Sequence, residues 1–166
     1  MASNIQLISV GAEAPHFSFQ DAQGASHSTR ELLGQPWVVY FYPRDNTPGC
    51  TKEACGFRDR QPEIAGLQAT VIGVSPDSEQ SHARFRDKYD LPFGLASDPE
   101  GEIAQAYGAW GPKKFMGRSY NSVHRVTFVV GKDGRIAAVF PKVKPVEHAE
   151  EVIRTLETLN HVPERT

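Results

Sequence analysis

Residues Trp37 to Cys55 read WVVYFYPRDNTPGCTKEAC, and this stretch decides the architecture. Its first six residues, Trp37 to Tyr42, are uninterruptedly apolar and rich in β-branched and aromatic side chains. A run of that length and composition is a strand buried on both faces, in the middle of a sheet. Pro43 to Pro48 is rich in turn formers. Thr47 suits an N-cap and Pro48 the first helical position. A helix therefore starts near Pro48 or Gly49 and runs toward Leu67, interrupted around Pro62.

Working outward, Thr70 to Ser75 (TVIGVS) repeats the buried-strand pattern. Ser78 to Tyr89 is an amphipathic helix stopped by Asp90-Leu91-Pro92. Phe93 to Ala96 reads as a strand, Gly101 to Tyr107 as a short helix, and the polar, glycine-containing stretch Gly108 to Ser122 as a loop. Val126 to Val130 and Ile136 to Phe140 are strands joined by Lys132-Asp133-Gly134, where Asp-Gly suits a type I′ turn. Val146 to Asn160 is a closing helix with Val152, Ile153, Leu156 and Leu159 on its apolar side. Ahead of Trp37, Phe17 to Gln20 and Ala25 to Ser28 form a short hairpin around Asp21 to Gly24. Ser28-Thr29-Arg30-Glu31 has capping-box spacing and opens a short helix ending at Gly34. Strands alternating with helices, then a hairpin and a last helix, describe an α/β fold: a central mixed sheet flanked by helices.

With 166 residues and no Gly/Ser linker or repeat, the chain is expected to form a single domain over residues 1–166. A 39% apolar fraction and a 23% charged fraction exclude global disorder. The net charge of -2 advertises no nucleic-acid partner. The N-terminal MASNIQLISVG lacks the basic and long apolar regions of a secretory signal. Trp37 to Tyr42 is the longest apolar run and is too short to cross a bilayer. A cytoplasmic protein without membrane contact is the expectation.

There are two cysteines, too few for a disulfide scaffold. Cys50 falls at the third helical position. Backbone N–H groups there are unpaired and the helix dipole is positive, so the Cys50 pKa is expected below the reference of about 8.5. The thiolate is the nucleophile, which makes Cys50 reactive; the alternative is a cysteine packed as a small hydrophobe. The Thr47 hydroxyl is able to donate to an anion or a peroxide oxygen beside it. Pro43 either starts the turn or presents an apolar wall to the sulfur. Cys55 follows five positions later. Along a continuous helix the two Cα atoms lie about 8 to 9 Å apart, beyond the roughly 7 Å limit for a disulfide. Either Cys55 is idle or the first turns unwind after oxidation, and Gly49 and Gly56 make unwinding easier. A cation is wanted near the sulfur. Arg44, Lys52, Arg58, Arg118 and Arg125 are candidates among which the residues alone do not choose.

YFYPRDNTPGCTKEACGFRD resembles the bacterioferritin-comigratory, or Q-type, branch of the peroxiredoxins. It carries the Pro-x-x-x-Thr-x-x-Cys signature and a second cysteine five residues on. The resemblance continues through VIGVSPDS, YGAWGPKKFMGRSY and HRVTFVVGKDGRI and covers nearly the whole chain. It implies a thioredoxin-like fold, which the element order also fits. It further implies peroxide reduction with no cofactor: no metal, haem or flavin. By position, Pro43 shields the site, Thr47 hydrogen-bonds the peroxide, Cys50 is the peroxidatic cysteine and Arg125 stabilises its thiolate. Cys55 matches the resolving cysteine, and Glu53 a carboxylate that orients the arginine. The implied cycle passes through a Cys50 sulfenic acid and a Cys50–Cys55 disulfide. Thioredoxin or a similar dithiol reductant regenerates the thiols. Resolution within one chain needs no second copy, so a monomer is expected.

Two other readings start from the same residues. A protein disulfide oxidoreductase suits the fold but lacks a Cys-x-x-Cys. A non-enzymatic redox sensor would use the helix switch to change partner contacts. His16, His27, His82, His124, His148 and His161 have no zinc-ligand spacing with the cysteines and are assigned to surface or core. Trp110, Phe115 and Tyr120 either pack on the domain or line an entrance for larger hydroperoxides.

Overall fold

The computed structural model describes residues 5–161. Its main sheet has seven strands. They are β1 (Ser18–Gln20), β2 (Ser26–Ser28), β3 (Trp37–Phe41), β4 (Thr70–Ser75), β5 (Gly94–Ser97), β8 (Val126–Val130) and β9 (Ile136–Phe140). They lie in the order β2-β1-β5-β4-β3-β8-β9. β3, β4 and β5 run parallel, while β8 and β9 add antiparallel at one side and β1 at the other. The central mixed sheet flanked by helices is thus as the sequence predicts.

β3 sits in the middle with all five residues buried. Its side chains alternate between two cores, as the period of a strand requires. Val38 and Tyr40, followed by Tyr42, face α1 (Pro48–Asp59), α2 (Gln61–Gly66), α3 (Glu79–Tyr89) and α5 (His148–His161). Trp37, Val39 and Phe41 face α4 (Glu102–Tyr107) and the base of a separate hairpin, β6 (Trp110–Phe115) and β7 (Arg118–Val123). Each such fully buried side chain contributes about 1.5–3 kcal/mol. The strand that delivers the chain to Cys50 is therefore firmly held. No helix among the described residues is long and apolar enough to cross a membrane.

Several expectations are corrected. Residues 108–122 are not a loop; most of them form the β6–β7 hairpin, paired from Trp110↔Val123 to Phe115↔Arg118. Its two-residue turn places both Met116 and Gly117 at positive φ, as a type I′ turn demands. Gly111, Pro112 and two lysines hide the strand pattern, and Pro112 is tolerated because the two-stranded ribbon is all edge. The β8–β9 connection is not type I′. Only Gly134 has positive φ, and Gly134 N–H bonds the Gly131 carbonyl, so a type I turn is followed by a left-handed glycine. Thr29–Leu32 is a single 3-10 turn, capped by the expected Ser28–Glu31 box. α5 begins at His148 rather than Val146, after a turn in which Glu147 N–H bonds Lys144 O. The helix break near Pro62 falls at Arg60, because Pro62 cannot donate to the preceding turn.

Candidate active site

α1 opens as its sequence dictates. Thr47 has extended dihedrals, Pro48 is the first helical residue, and the Thr47 carbonyl accepts the Thr51 N–H at 2.8 Å. Cys50 therefore lies in the first turn, where N–H groups have no helical partner. The Thr47 side chain does not cap the helix. Its hydroxyl donates to the Arg44 carbonyl at 3.0 Å. With its one proton placed there, the Thr47 hydroxyl presents an acceptor rather than a donor to the site. Pro43 lies between Tyr42, at the end of the strand, and this turn; Tyr42 is fully buried and Pro43 half-buried.

The Cys50 sulfur is 1% exposed by residue, inside the core under α1. Arg125, the residue just before β8, reaches it. Its Nη2 donates to Cys50 Sγ at 3.1 Å and its Nη1 to Glu53 Oε1 at 2.6 Å. β8 pairs directly with β3 (Phe41↔Val126), so the sheet register carries Arg125 to the mouth of the loop. Of the five candidate cations, Arg125 is the one that meets the sulfur. Gly49 lies beside it: a Cβ there would stand 3.4 Å from Nη2, at the edge of ordinary contact.

Glu53 is one helical turn after Cys50, with its side chain fully buried. Burial pushes its carboxyl up to about 7, and Arg125 offsets only part of that. Its second oxygen has no hydrogen-bond partner among the described residues. Burial opposes the Arg125 charge, but Glu53 and the Cys50 sulfur outweigh it and raise the Arg125 pKa. The three groups form one row: carboxylate, guanidinium, sulfur.

Cys55 is on the same unbroken helix, partly exposed and unbonded, as is Cys50. Burial pushes its thiol pKa up, with Arg58 opposing. A Cβ at Gly56 would meet Ala149 Cβ of α5 at 3.7 Å, in ordinary contact, so this position has room for a methyl group.

This geometry fits a thiol aimed at an electrophile, and similarity to known proteins says which. Residues 10–139 match the AhpC/TSA family model. Peroxiredoxin Bcp of Bacillus subtilis is 40% identical over 153 residues, covering 92% of this chain and 98% of that protein. The chain belongs to the AhpC/TSA family, among the Bcp peroxiredoxins. Peroxiredoxin Bcp of Escherichia coli is 38% identical over 149 residues, covering 90% of this chain and 96% of the relative. The bacterioferritin comigratory protein of Xanthomonas campestris, whose structures were solved for insight into alkyl peroxide reduction, superposes with a TM-score of 0.81. It is 30% identical and covers 95% of this chain and 98% of its own. The peroxiredoxin is thus a thiol peroxidase on a thioredoxin-like fold, with a peroxide as substrate and a thiol as reductant.

The sequence reading missed a buried group behind the peroxiredoxin loop. Asp45 accepts from Tyr42 Oη at 2.6 Å, Ser81 Oγ at 2.8 Å and His82 Nδ1 at 2.8 Å. Its N–H donates to Asp77 Oδ2 at 2.7 Å, which also accepts from Ser75 Oγ at 2.7 Å. Asp45, Asp77 and His82 bring three ligand-type atoms within 4.8 Å of one another, but hydrogen bonds already occupy them. The signal available was His82 itself. It lies three and four residues before Phe85 and Arg86, on the buried face of α3. Lys113 also went unremarked. It is half-buried on β6, and burial lowers its pKa, as does nearby Arg125. Of the aromatic stretch, Trp110 packs on the core and Tyr120 is half exposed.

Proposed function

We propose that Cys50 is the peroxidatic cysteine, Cys55 the resolving cysteine, and thioredoxin or a similar dithiol protein the reductant. The observation that carries this reading is the Arg125 guanidinium, held by Glu53 and donating to the Cys50 sulfur. The Cys50 thiolate attacks the terminal oxygen of a hydroperoxide. The S–O bond forms as the O–O bond breaks, leaving Cys50 sulfenic acid and an alkoxide or hydroxide that takes a proton from water. Pro43 keeps bulk water from the sulfur. Arg125 stabilises the charge as it moves from sulfur to oxygen, and Thr47 accepts the peroxide O–H. Hydrogen peroxide and alkyl hydroperoxides both fit; alkyl peroxide reduction is the activity attached to the Xanthomonas campestris relative.

Resolution requires a change of shape. Two cysteines five apart on an intact helix are about 8 to 9 Å apart at Cα, too far for a disulfide. The first turns of α1 unwind, the Cys55 thiol condenses with the sulfenic acid, and water leaves. The external dithiol then exchanges with this disulfide and restores both thiols. Every step lies within one chain, so the enzyme works as a monomer, in a reducing compartment such as the cytoplasm.

A thioredoxin-coupled peroxidase assay on two variants tests this. Cys50→Ser loses turnover. Cys55→Ser still forms the Cys50 sulfenic acid with one equivalent of peroxide but turns over poorly with thioredoxin. Undiminished thioredoxin-supported turnover in Cys50→Ser would contradict the assignment.

A further inference from the structure

The loop from Pro43 to Thr47 carries two of the proposed site residues, yet among the described residues none of it hydrogen-bonds the Cys50 sulfur. Two of its residues are anchored from α3 instead. Asp45 is 8% exposed and its carboxylate takes three donors, two of them from α3, Ser81 and His82. Asn46, at φ 62, accepts at its Oδ1 from Tyr89 Oη at 2.9 Å and Lys88 Nζ at 3.2 Å, at the far end of the same helix. α3 thus grips consecutive loop residues from both its ends.

His82 is the buried centre of this grip. It is 1% exposed, and its two ring nitrogens meet the Asp45 carboxylate at 2.8 Å and the Ala96 carbonyl of β5 at 3.1 Å. The Ala96 carbonyl is able only to accept, so Nε2 carries a proton, while Nδ1 meets the Asp45 carboxyl. A buried carboxyl is tolerated only when it is hydrogen-bonded. Remove His82 and Asp45 loses one of its three partners inside the protein. The carboxylate then protonates or turns toward water, and the loop moves with it.

We propose that His82 is a positioning residue for the peroxidase reaction: through Asp45 it sets where Pro43 and Thr47 stand relative to Cys50. The inference rests on Cys50 as the peroxide-attacking residue. The sulfur itself is held by Arg125, which this pair does not touch. So His82 governs the reaction that needs an oriented oxygen acceptor and leaves the bare nucleophilicity of the thiolate alone. A displacement of about 1 Å far from the reacting atoms is able to cost on the order of a hundredfold in rate.

The test compares two reactions of the same sulfur in the reduced protein at one pH. One is oxidation by hydrogen peroxide in a stopped-flow instrument; the other is alkylation by iodoacetamide, which needs no oriented loop. For His82→Leu the expected result is a fall of about tenfold to a hundredfold in the peroxide rate with alkylation within about threefold of wild type. Asp45→Asn added to His82→Leu brings little further loss, because both remove one interaction. His82→Gln, which restores one donor to Asp45, recovers part of the rate. A peroxide rate within about twofold of wild type, or peroxide and alkylation rates falling together, overturns the proposal. Should His82→Leu not fold, Ser81→Ala and His82→Gln decide by the same ratio. Failure of wild-type Cys50 to react with peroxide would instead sink the underlying assignment.

Discussion

At Cys50 one guanidinium serves two groups, the sulfur and a carboxyl, and the carboxyl is the unusual one. Glu53 is fully buried, its pKa is raised to about 7 by burial, and one oxygen has no partner among the described residues. Because the folded pKa exceeds the ordinary value of 4.5, the native state binds the extra proton. Stability from this group is complete below pH about 4.5 and is lost as pH rises through about 7. Urea unfolding of the reduced protein, set against Glu53→Gln, is expected to show this: wild type loses about 3 kcal/mol relative to the variant between those values. No relative change across that window would mean that Glu53 stays ionised throughout. Arg125→Met removes the donor at the sulfur, and the rate with peroxide is expected to fall about 10²–10³-fold. An unchanged rate would take Arg125 out of the mechanism. The placement of Pro43, Thr47 and Cys50 at the loop and helix start was legible in the sequence because they lie close together in one segment and local rules place them. Arg125 was not, because it comes 75 positions later and only the β3–β8 register brings it to the sulfur. The family resemblance alone singled it out. His82 and Asp45 stayed hidden for the same reason, being 37 residues apart.

At the scale of the element, the proposed cycle has α1 helical for attack and unwound for resolution. Its two glycines tune that balance differently. A Cβ at Gly49 would come closest to Arg125, at 3.4 Å, while one at Gly56 would meet Ala149 at 3.7 Å, in ordinary contact. Gly56→Ala therefore fits without a clash and adds about 1 kcal/mol of helix propensity. Trapping the sulfenic acid over time is expected to show unchanged formation and about fivefold slower conversion to disulfide. Equal rates for both steps would argue that resolution does not pass through an unwound helix. β3, β4, β8 and β9 of the main sheet were legible because their runs are largely apolar and bounded by turns. The β6–β7 hairpin was not. Its strands are short of apolar residues, and the non-glycine residue in its turn, Met116, is an uncommon occupant of positive φ. The same problem, seen from the other side, misassigned the Asp133-Gly134 turn, where the residue pair suggested I′ but only Gly134 takes positive φ.

For the molecule as a whole, the architecture separates what must stay from what must move. β3 and its two cores hold the sulfur's approach, α3 grips the loop, and β8 brings the arginine. In the proposed cycle only α1 has to change. Nothing in this scheme needs a second chain, so sedimentation velocity is expected to give one monomeric species before and after one equivalent of peroxide. A dimer appearing on oxidation would point to resolution between chains. The central claim is that Cys50 and Cys55 react in sequence on one chain. Its most direct measurement adds one equivalent of hydrogen peroxide to the reduced protein, counts free thiols and maps the linked peptides by mass. The account predicts rapid loss of both thiols, a monomer lighter by two hydrogens, and a peptide joined through Cys50 and Cys55. Oxidation of Cys50 alone, with Cys55 still free, would contradict it.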